Sequence, residues 1–197
     1  MKKEIKASFL VLLIITVLTG VLYPLGITII AKVFFPRQAQ GSLIVQDGKV
    51  VGSALIGQNF DDPRYLWGRL SATTPAYNAA SSSGSNLGPS NPALLDAVKA
   101  RIQALQASGD GHGPIPVDLV TSSASGLDPD VSPAAAQYQM ARILKAGGLK
   151  LEVLQKIIRE NTTQRTFGIL GEPHVNVLKV NLALKYLYDI LTSRQLN

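Results

Sequence analysis

The sequence predicts one N-terminal transmembrane helix followed by a single α/β (α+β) domain outside the cytoplasm. The first observation is a run of 25 residues without a charged side chain, from Ala7 to Ala31. The second is that later segments alternate between helix-like and strand-like patterns, bounded by turn residues. We therefore divide the 197 residues into a cytoplasmic tail at 1–6, a transmembrane helix at 7–31 and an extracytoplasmic domain at 32–197.

The length of the uncharged run decides between a retained helix and a cleaved signal peptide. As an α-helix the run would be about 38 Å long, which is enough to cross a hydrocarbon core of about 30 Å. The apolar region of a signal peptide is typically about 7–15 residues long. This run is longer and lacks a clear A-x-A-like cleavage site after its first half. We therefore expect a retained membrane span.

Positive charges are unevenly placed about this span. Lys2, Lys3 and Lys6 precede it, whereas Lys32 and Arg37 follow it. The cytoplasmic flanks of membrane helices carry the larger share of Lys and Arg. The asymmetry is small, and it favours a cytoplasmic N-terminus with the rest of the chain exported.

The later half of the span contains Gly20, Pro24 and Gly26. Proline removes a backbone hydrogen bond and tends to kink a helix. In lipid, such breaks are tolerated where neighbouring helices satisfy the backbone, and small residues allow helices to approach closely. These residues therefore predict contact with other helices in a larger assembly.

Composition excludes several classes of function. Half of the net charge of +6 lies beside the uncharged run, and the rest is dispersed without the basic patch of a nucleic-acid-binding protein. There are no cysteines, which excludes disulfides, thiolate metal sites and cysteine nucleophiles. The mean hydropathy of +0.19 reflects one segment and not a protein with many spans.

The domain combines a hairpin with helices. Leu43–Gln46 and Lys49–Ser53 flank Asp47-Gly48, which is a strong hairpin signal because both central residues must adopt positive φ. Proline after a capping side chain marks two helix starts. Helices are predicted to begin at Asn91-Pro92, Ser132-Pro133, Leu149 and Asn176, with a short strand at Val117–Thr121.

No self-contained catalytic or metal site is visible in the sequence. Gly109–Pro114 departs from a dinucleotide-binding fingerprint because its sixth residue is proline, and no Gly-Lys-Ser/Thr follows Gly84–Gly88. A nucleophilic triad needs a histidine base, and only His112 and His174 are present. The alternative function is a membrane-tethered extracytoplasmic hydrolase that uses serine, aspartate and His174.

Three long stretches carry a resemblance to a known family. They read GSNLGPSNP at Gly84–Pro92, DLVTSSASGLDP at Asp118–Pro129 and GEPHVNVLKVN at Gly171–Asn181. In this order and behind one apolar helix, they resemble KdpC, the single-span subunit of the bacterial Kdp potassium-transporting P-type ATPase. The likeness covers essentially the whole chain, including Gly57–Phe60 and the Ser132-Pro133 helix start.

Three positions depart from the family pattern. Leu70 stands where a proline is common, Ser83 where a glycine is frequent, and His174 where an arginine is usual. These departures leave the main features of the resemblance intact.

The resemblance implies a non-catalytic assembly and regulatory subunit of a high-affinity, ATP-driven potassium uptake complex in the bacterial inner (plasma) membrane. Its implied partners are a channel-like potassium-binding subunit (KdpA) and a P-type ATPase subunit (KdpB), with room for a small single-span subunit (KdpF). The complex uses ATP, Mg²⁺ and K⁺, but this chain has no Asp-Lys-Thr-Gly phosphorylation motif, and no cofactor is expected on it. The family has been described as a catalytic chaperone that raises the nucleotide affinity of the pump subunit. With the domain outside the cytoplasm, we expect that effect to be indirect.

We therefore expect the functional residues to be partner contacts and not catalytic groups. The candidates lie in the helix break, in an aromatic stretch and in polar loops that lead into helices. They are Gly20, Pro24, Gly26, Tyr65, Trp67, Asn86, Asn91, Asp128, His174 and Asn176.

Overall fold

The computed structural model describes residues 2–110 and 113–195. The chain divides into two compact units, Met1–Ser53 and Ala54–Asn197. The first unit contains an apolar helix, one short helix and a hairpin, and the second contains the remaining helices and a small sheet.

The apolar helix begins close to the N-terminus. It consists of α1 (Lys2–Val17), a π-helical turn (Leu18–Leu22) and α2 (Tyr23–Phe34). Together they make a run of 33 residues, within which an 18-residue window has a mean hydropathy of 2.4. Within the described part of the chain, this is the one helix whose length and composition suit a membrane span, and it extends past the predicted run at both ends.

The π-helical turn lies where the sequence predicts a break. In this turn, the N–H of Tyr23 donates to the carbonyl of Leu18, five residues earlier instead of four. Pro24 follows at once, and because it has no N–H it leaves the carbonyl of Gly20 without its usual donor. A π turn widens the helix at such a point and places one surplus residue in it. Gly20 lies inside the turn, and Gly26 follows in α2.

A β-hairpin completes the first unit, as predicted. β1 (Leu43–Gln46) pairs antiparallel with β2 (Lys49–Ser53). The turn residues Asp47 and Gly48 have φ values of 51° and 75°, which matches the twist of a two-residue hairpin loop.

The hairpin lies only a short length of chain beyond the helix. Most of the connection is α3 (Pro36–Ala39), and seven residues lead from the end of α2 to Gly41. Seven residues reach at most about 25 Å even when fully extended. The hydroxyl of Ser53, the last residue of the hairpin, donates to the carbonyl of Gly41 over 2.7 Å. The chain therefore leaves the hairpin next to the point where it entered.

In the described residues of the second unit, six helices surround three short strands. The helices are α4 (Pro92–Ala107), α5 (Val117–Val120), α6 (Pro133–Tyr138), α7 (Met140–Gly147), α8 (Leu151–Glu160) and α9 (Val177–Gln195). The strands β3 (Asp130–Val131), β4 (Thr162–Thr163) and β5 (His174–Asn176) form an antiparallel sheet in the order β3-β5-β4.

The core of the second unit is built around the central strand β5. Val175 of this strand is fully buried, as are Ile143 of α7, Leu154 of α8 and Leu184 of α9. Leu66, which belongs to no helix or strand, is buried among them. This packing of helices on a small sheet confirms the predicted α/β (α+β) class.

Polar side chains start two helices where the sequence predicts. The side chain of Asn91 accepts from the N–H of Ala93 over 3.0 Å, and the hydroxyl of Ser132 accepts from Ala135 over 3.0 Å. The helix predicted from Ser132-Pro133 is interrupted at Gln139, between α6 and α7. Each proline occupies the first helical position, where its missing N–H costs nothing.

The strand predicted at Val117–Thr121 is wrong, because this segment forms the short helix α5. The turn buries Leu119 and brings the carboxylate of Asp118 to the N–H of Ser132 over 2.7 Å. The burial of Leu119 and the contact between Asp118 and Ser132, 14 residues apart in the chain, favour the helical turn over the strand that the β-branched pattern predicts.

Two helices, α4 and α8, expose apolar side chains near their N-terminal ends. Leu95 of α4 is 53% exposed and Leu151 of α8 is 45% exposed, whereas Leu105 and Leu154 are fully buried. Both helices reach the core with their later turns, because their first turns extend beyond it.

Candidate functional site

The segment Pro63–Trp67 enters the interior of the second unit without belonging to a helix or strand. Its buried backbone N–H and C=O groups therefore need side-chain partners. Three buried polar side chains provide them, and we call this set the clamp: Gln139, Arg142 and Asn181. The segment includes the candidates Tyr65 and Trp67.

The two amides of the clamp each bind one residue twice. Asn181 accepts from the N–H of Leu66 over 2.8 Å and donates to its carbonyl over 2.9 Å. Gln139 binds Trp67 in the same way, over 2.9 and 3.0 Å. Each amide thereby takes the place of a neighbouring strand.

The third member of the clamp, Arg142, is buried together with its counter-ion. Its Nη1 donates to the carbonyls of Pro63 and Tyr65 over 2.8 and 2.9 Å, and its Nε donates to Asp110 over 2.8 Å. Burial lowers the pKa of Arg142, and the carboxylate of Asp110 acts in the opposite direction. Because both charges are shielded from water, removing either one would leave the other uncompensated.

The clamp also fixes two aromatic candidates. The guanidinium carbons of Arg142 and Arg101 lie 4.0 and 5.4 Å from the centre of the Trp67 ring, within the range of cation–π attraction. The ring of Tyr65 packs edge-on against Tyr188, at a centroid distance of 5.9 Å. Tyr65 and Trp67 are partly buried packing residues, and only their remaining exposed surface is open to a partner.

Three other candidates, Asp128, His174 and Asn176, meet around Asp130, which the sequence analysis did not single out. Asp128 accepts from the N–H of Asp130 over 3.0 Å, and the amide of Asn176 donates to Asp130 over 2.9 Å. Nε2 of His174 lies 3.8 Å from the second oxygen of Asp130. The pairing of β3 with β5 brings these side chains together, because Asp130 lies opposite Asn176.

Within this cluster, Asn176 and Asp128 hold the fold. Asn176 is 7% exposed, donates to the carbonyl of Ala54 over 3.0 Å and accepts from the N–H of Lys179 at the start of α9 over 3.1 Å. Asp128 pairs with Arg69 over 3.0 Å. His174 is the member of the cluster with the most exposed side chain.

The surroundings of Asp130 raise the pKa of its carboxyl above the ordinary value for aspartate. Burial raises the pKa of this carboxyl, while the Asn176 amide and the charge of His174 lower it. The net direction is upward, so the group binds its proton more readily than an exposed aspartate.

The geometry of His174 does not favour the alternative function, a hydrolase in which this histidine acts as the general base. Its Nδ1 lies 2.9 Å from the carbonyl of Glu172, and its Nε2 faces Asp130. Among the described hydrogen bonds, none joins this imidazole to a serine hydroxyl, which a general base needs to contact. The second histidine, His112, lies outside the described residues, as does its neighbour Gly111.

The polar loop before α4 contains two further candidates. Asn91 caps that helix, and Asn86 is exposed with a positive φ of 52°. Gly84 packs so closely that an added Cβ would lie 2.8 Å from the carbonyl of Ala124. Gly84 therefore serves internal packing, whereas a Cβ added to Gly88 would meet nothing within 4 Å.

The three candidates in the apolar helix belong to the first unit. A Cβ added to Gly20 or Gly26 would meet nothing within 4 Å. Together with the π turn before Pro24, these glycines leave the helix surface open for another helix to approach.

The described residues combine a candidate membrane-spanning helix with a small clamped domain, an architecture consistent with a membrane-associated protein. Residues 5–186 match the family model described as KdpC, the c chain of the K⁺-transporting ATPase. The chain belongs to this family, as its resemblance predicts, and is therefore a subunit of a potassium-transporting ATPase.

Relatives named potassium-transporting ATPase KdpC subunit cover nearly the same length. Those of Herpetosiphon aurantiacus and Methylococcus capsulatus are each 58% identical over 186 residues, which is 93% of this chain and 96% and 98% of theirs. That of Burkholderia cenocepacia is 59% identical over 186 residues, 93% of this chain and 96% of its own.

Proposed function

We propose that this chain is a non-catalytic assembly and regulatory subunit of a high-affinity potassium uptake complex, in which it supports ATP use by a P-type ATPase subunit. The observation that carries the proposal is the family match over residues 5–186, which includes both the apolar helix and the domain. The chemistry agrees, because the buried charged and amide groups of the clamp are occupied with one another and with backbone. The buried groups of the clamp therefore stabilise the fold of the domain.

The proposed partners are those that the family resemblance implies. They are the channel-like subunit KdpA and the P-type ATPase subunit KdpB, with KdpF as a further small member. ATP, Mg²⁺ and K⁺ act on those partners in this proposal. Gly20, Pro24 and Gly26 provide a helix surface for contact inside the membrane, and Asn86, Asn91 and His174 provide exposed polar groups on the domain.

We further propose that the domain lies outside the cytoplasm, because Lys2, Lys3 and Lys6 lie on one side of the span. A periplasmic phosphatase reporter fused after Asn197 is expected to be active. The same reporter fused after Lys6, followed by no span, is expected to be inactive. Activity of a cytoplasm-specific reporter after Asn197 would reverse the orientation.

The effect on ATP use is proposed to be indirect. A subunit that prefers one conformation of its partners shifts their equilibrium by its difference in affinity, typically about 1–3 kcal/mol. The loop at Gly84 favours this view, since its glycine packs against Ala124 and no lysine accompanies it. The proposed role therefore requires no phosphate-binding loop on this chain.

Adding the full chain to its partner subunits should lower the ATP concentration for half-maximal hydrolysis by about 5- to 150-fold. The full chain alone, in detergent, should give no saturable heat with millimolar ATP in calorimetry. Co-purification with two large membrane proteins is the companion measurement. Failure to co-purify, together with hydrolysis of ester substrates by the chain alone, would favour the tethered hydrolase. A saturable heat from the chain alone would contradict indirect coupling.

A further inference from the structure

A turn between β4 and β5 exposes three large apolar side chains. Phe167 is 88% exposed, Ile169 is 74% exposed and Leu170 is 58% exposed. We call residues 166–170 the apolar tip. Removing such side chains from water is favourable in proportion to the apolar area buried. Three within five residues make a concentrated apolar patch, which on a soluble domain marks an interaction site more often than isolated exposed residues do.

The apolar tip has a fixed shape. The N–H of Thr166 donates to the carbonyl of Leu170 over 2.9 Å, and the N–H of Leu170 returns the bond over 3.0 Å. Phe167 and Gly168 follow one another with φ values of 56° and 76°, so the chain reverses sharply at the tip.

The base of the tip is held by an ion pair. Nη2 of Arg165 lies 2.7 Å from one oxygen of Glu172 and 2.6 Å from the other. The pair joins the two ends of the turn. Apart from His174, the ionisable side chains of segment 161–176 are this one cation and this one carboxylate. The segment is therefore close to neutral.

We propose that the apolar tip docks into an apolar pocket on another protein subunit of the same potassium-transporting complex. The inference rests on the proposed function, since it names a surface through which that subunit assembles. Two observations favour a protein over lipid. A fluid bilayer requires no fixed shape, whereas a preformed turn loses less conformational entropy when it enters a protein pocket. The balanced charge also provides no attraction to anionic lipid headgroups, on which short surface segments depend.

Phe167→Asp in the full chain tests this surface. Aspartate tolerates positive φ better than most residues, so the turn should keep its shape, and thermal unfolding of the chain in detergent should be unchanged. A charge buried without a partner at the centre of an interface is strongly unfavourable, so recovery of the partner subunits with the tagged chain should fall at least tenfold. The matched control is Tyr186→Asp, which replaces an aromatic residue that is 63% exposed on α9. Its recovery should match that of the native chain.

Photo-cross-linking identifies the occupant. A benzophenone amino acid at position 167 of the assembled complex should form an adduct that mass spectrometry maps to another subunit. Adducts with lipid alone, or no adduct in an intact complex, would overturn the proposal. Recovery of Phe167→Asp equal to that of the native chain would also overturn it and leave the proposed function standing. Failure of the native chain to co-purify with any partner would instead remove the proposed function itself.

Discussion

Replacing Arg142 with alanine is expected to lower the free energy of unfolding by about 3–5 kcal/mol. The side chain is 1% exposed, and its loss would leave the buried carboxylate of Asp110 without its cation. The carbonyls of Pro63 and Tyr65 would lose their donor at the same time. Folded domains are typically stable by only about 5–15 kcal/mol in total, so this loss is a large fraction of the free energy of unfolding.

Chemical denaturation of the full chain in detergent, followed by Trp67 fluorescence, measures this loss. The matched control is Arg64→Ala, which removes an ion pair with Asp62 at the protein surface, where the arginine side chain is 49% exposed. Exposed pairs contribute little because water and salt screen them, so the control should unfold like the native chain. Equal stability of both variants would show that the buried pair is dispensable.

Asn181→Ala should produce the second-largest loss, about 3 kcal/mol. The substitution leaves both the N–H and the carbonyl of Leu66 buried without a partner, and each such group costs about 1–3 kcal/mol. Because Leu66 is fully buried, water cannot replace the amide without opening the core. The segment Pro63–Trp67 should therefore detach locally before the rest of the domain unfolds.

Hydrogen exchange at Leu66 checks this order of events, since its amide should lose protection first. Asn91→Ala is the control of the same residue type. Asn91 is an exposed helix cap, and its loss should cost about 1 kcal/mol without affecting Leu66. Unchanged protection of Leu66 in Asn181→Ala would contradict the role of this amide in the clamp.

Local signals in the sequence predict the hairpin and two helix starts correctly. Asp47-Gly48, Asn91-Pro92 and Ser132-Pro133 each act through backbone groups within a few residues. Such contacts do not depend on the rest of the fold, which is why they are readable from the chain alone. The family is also readable from the sequence, because three long stretches match its pattern in the same order.

The clamp was not predicted, because its contacts join residues far apart in the chain. Asn181 lies 115 residues from Leu66, and Gln139 lies 72 residues from Trp67. A signal existed nonetheless. Asn181 interrupts the apolar stripe that Val180 and Leu184 mark on α9, and a polar residue on an inward stripe needs a buried partner.

The sequence identifies polar candidates for partner contact, but it does not show how the fold surrounds them. Asn176 and Asp128 were chosen as polar groups near helix starts, and the fold directs much of their hydrogen bonding inward. The apolar tip was missed because a short Thr-Phe-Gly-Ile-Leu stretch resembles a buried strand in sequence. Only the reversal at Phe167 and Gly168 exposes it.

The short connection between the apolar helix and the hairpin also affects binding strength. Once the helix is seated in a complex, any contact of the domain with the same complex becomes intramolecular. A short linker gives such a second contact an effective concentration in the millimolar range. A contact with a dissociation constant of about 1 mM would then be occupied about half the time, although the same surface would bind negligibly as a free domain. The hydroxyl of Ser53 donates to the carbonyl of Gly41 over 2.7 Å, so the hairpin adds little to the length of that linker. The effective concentration of the second contact therefore stays high.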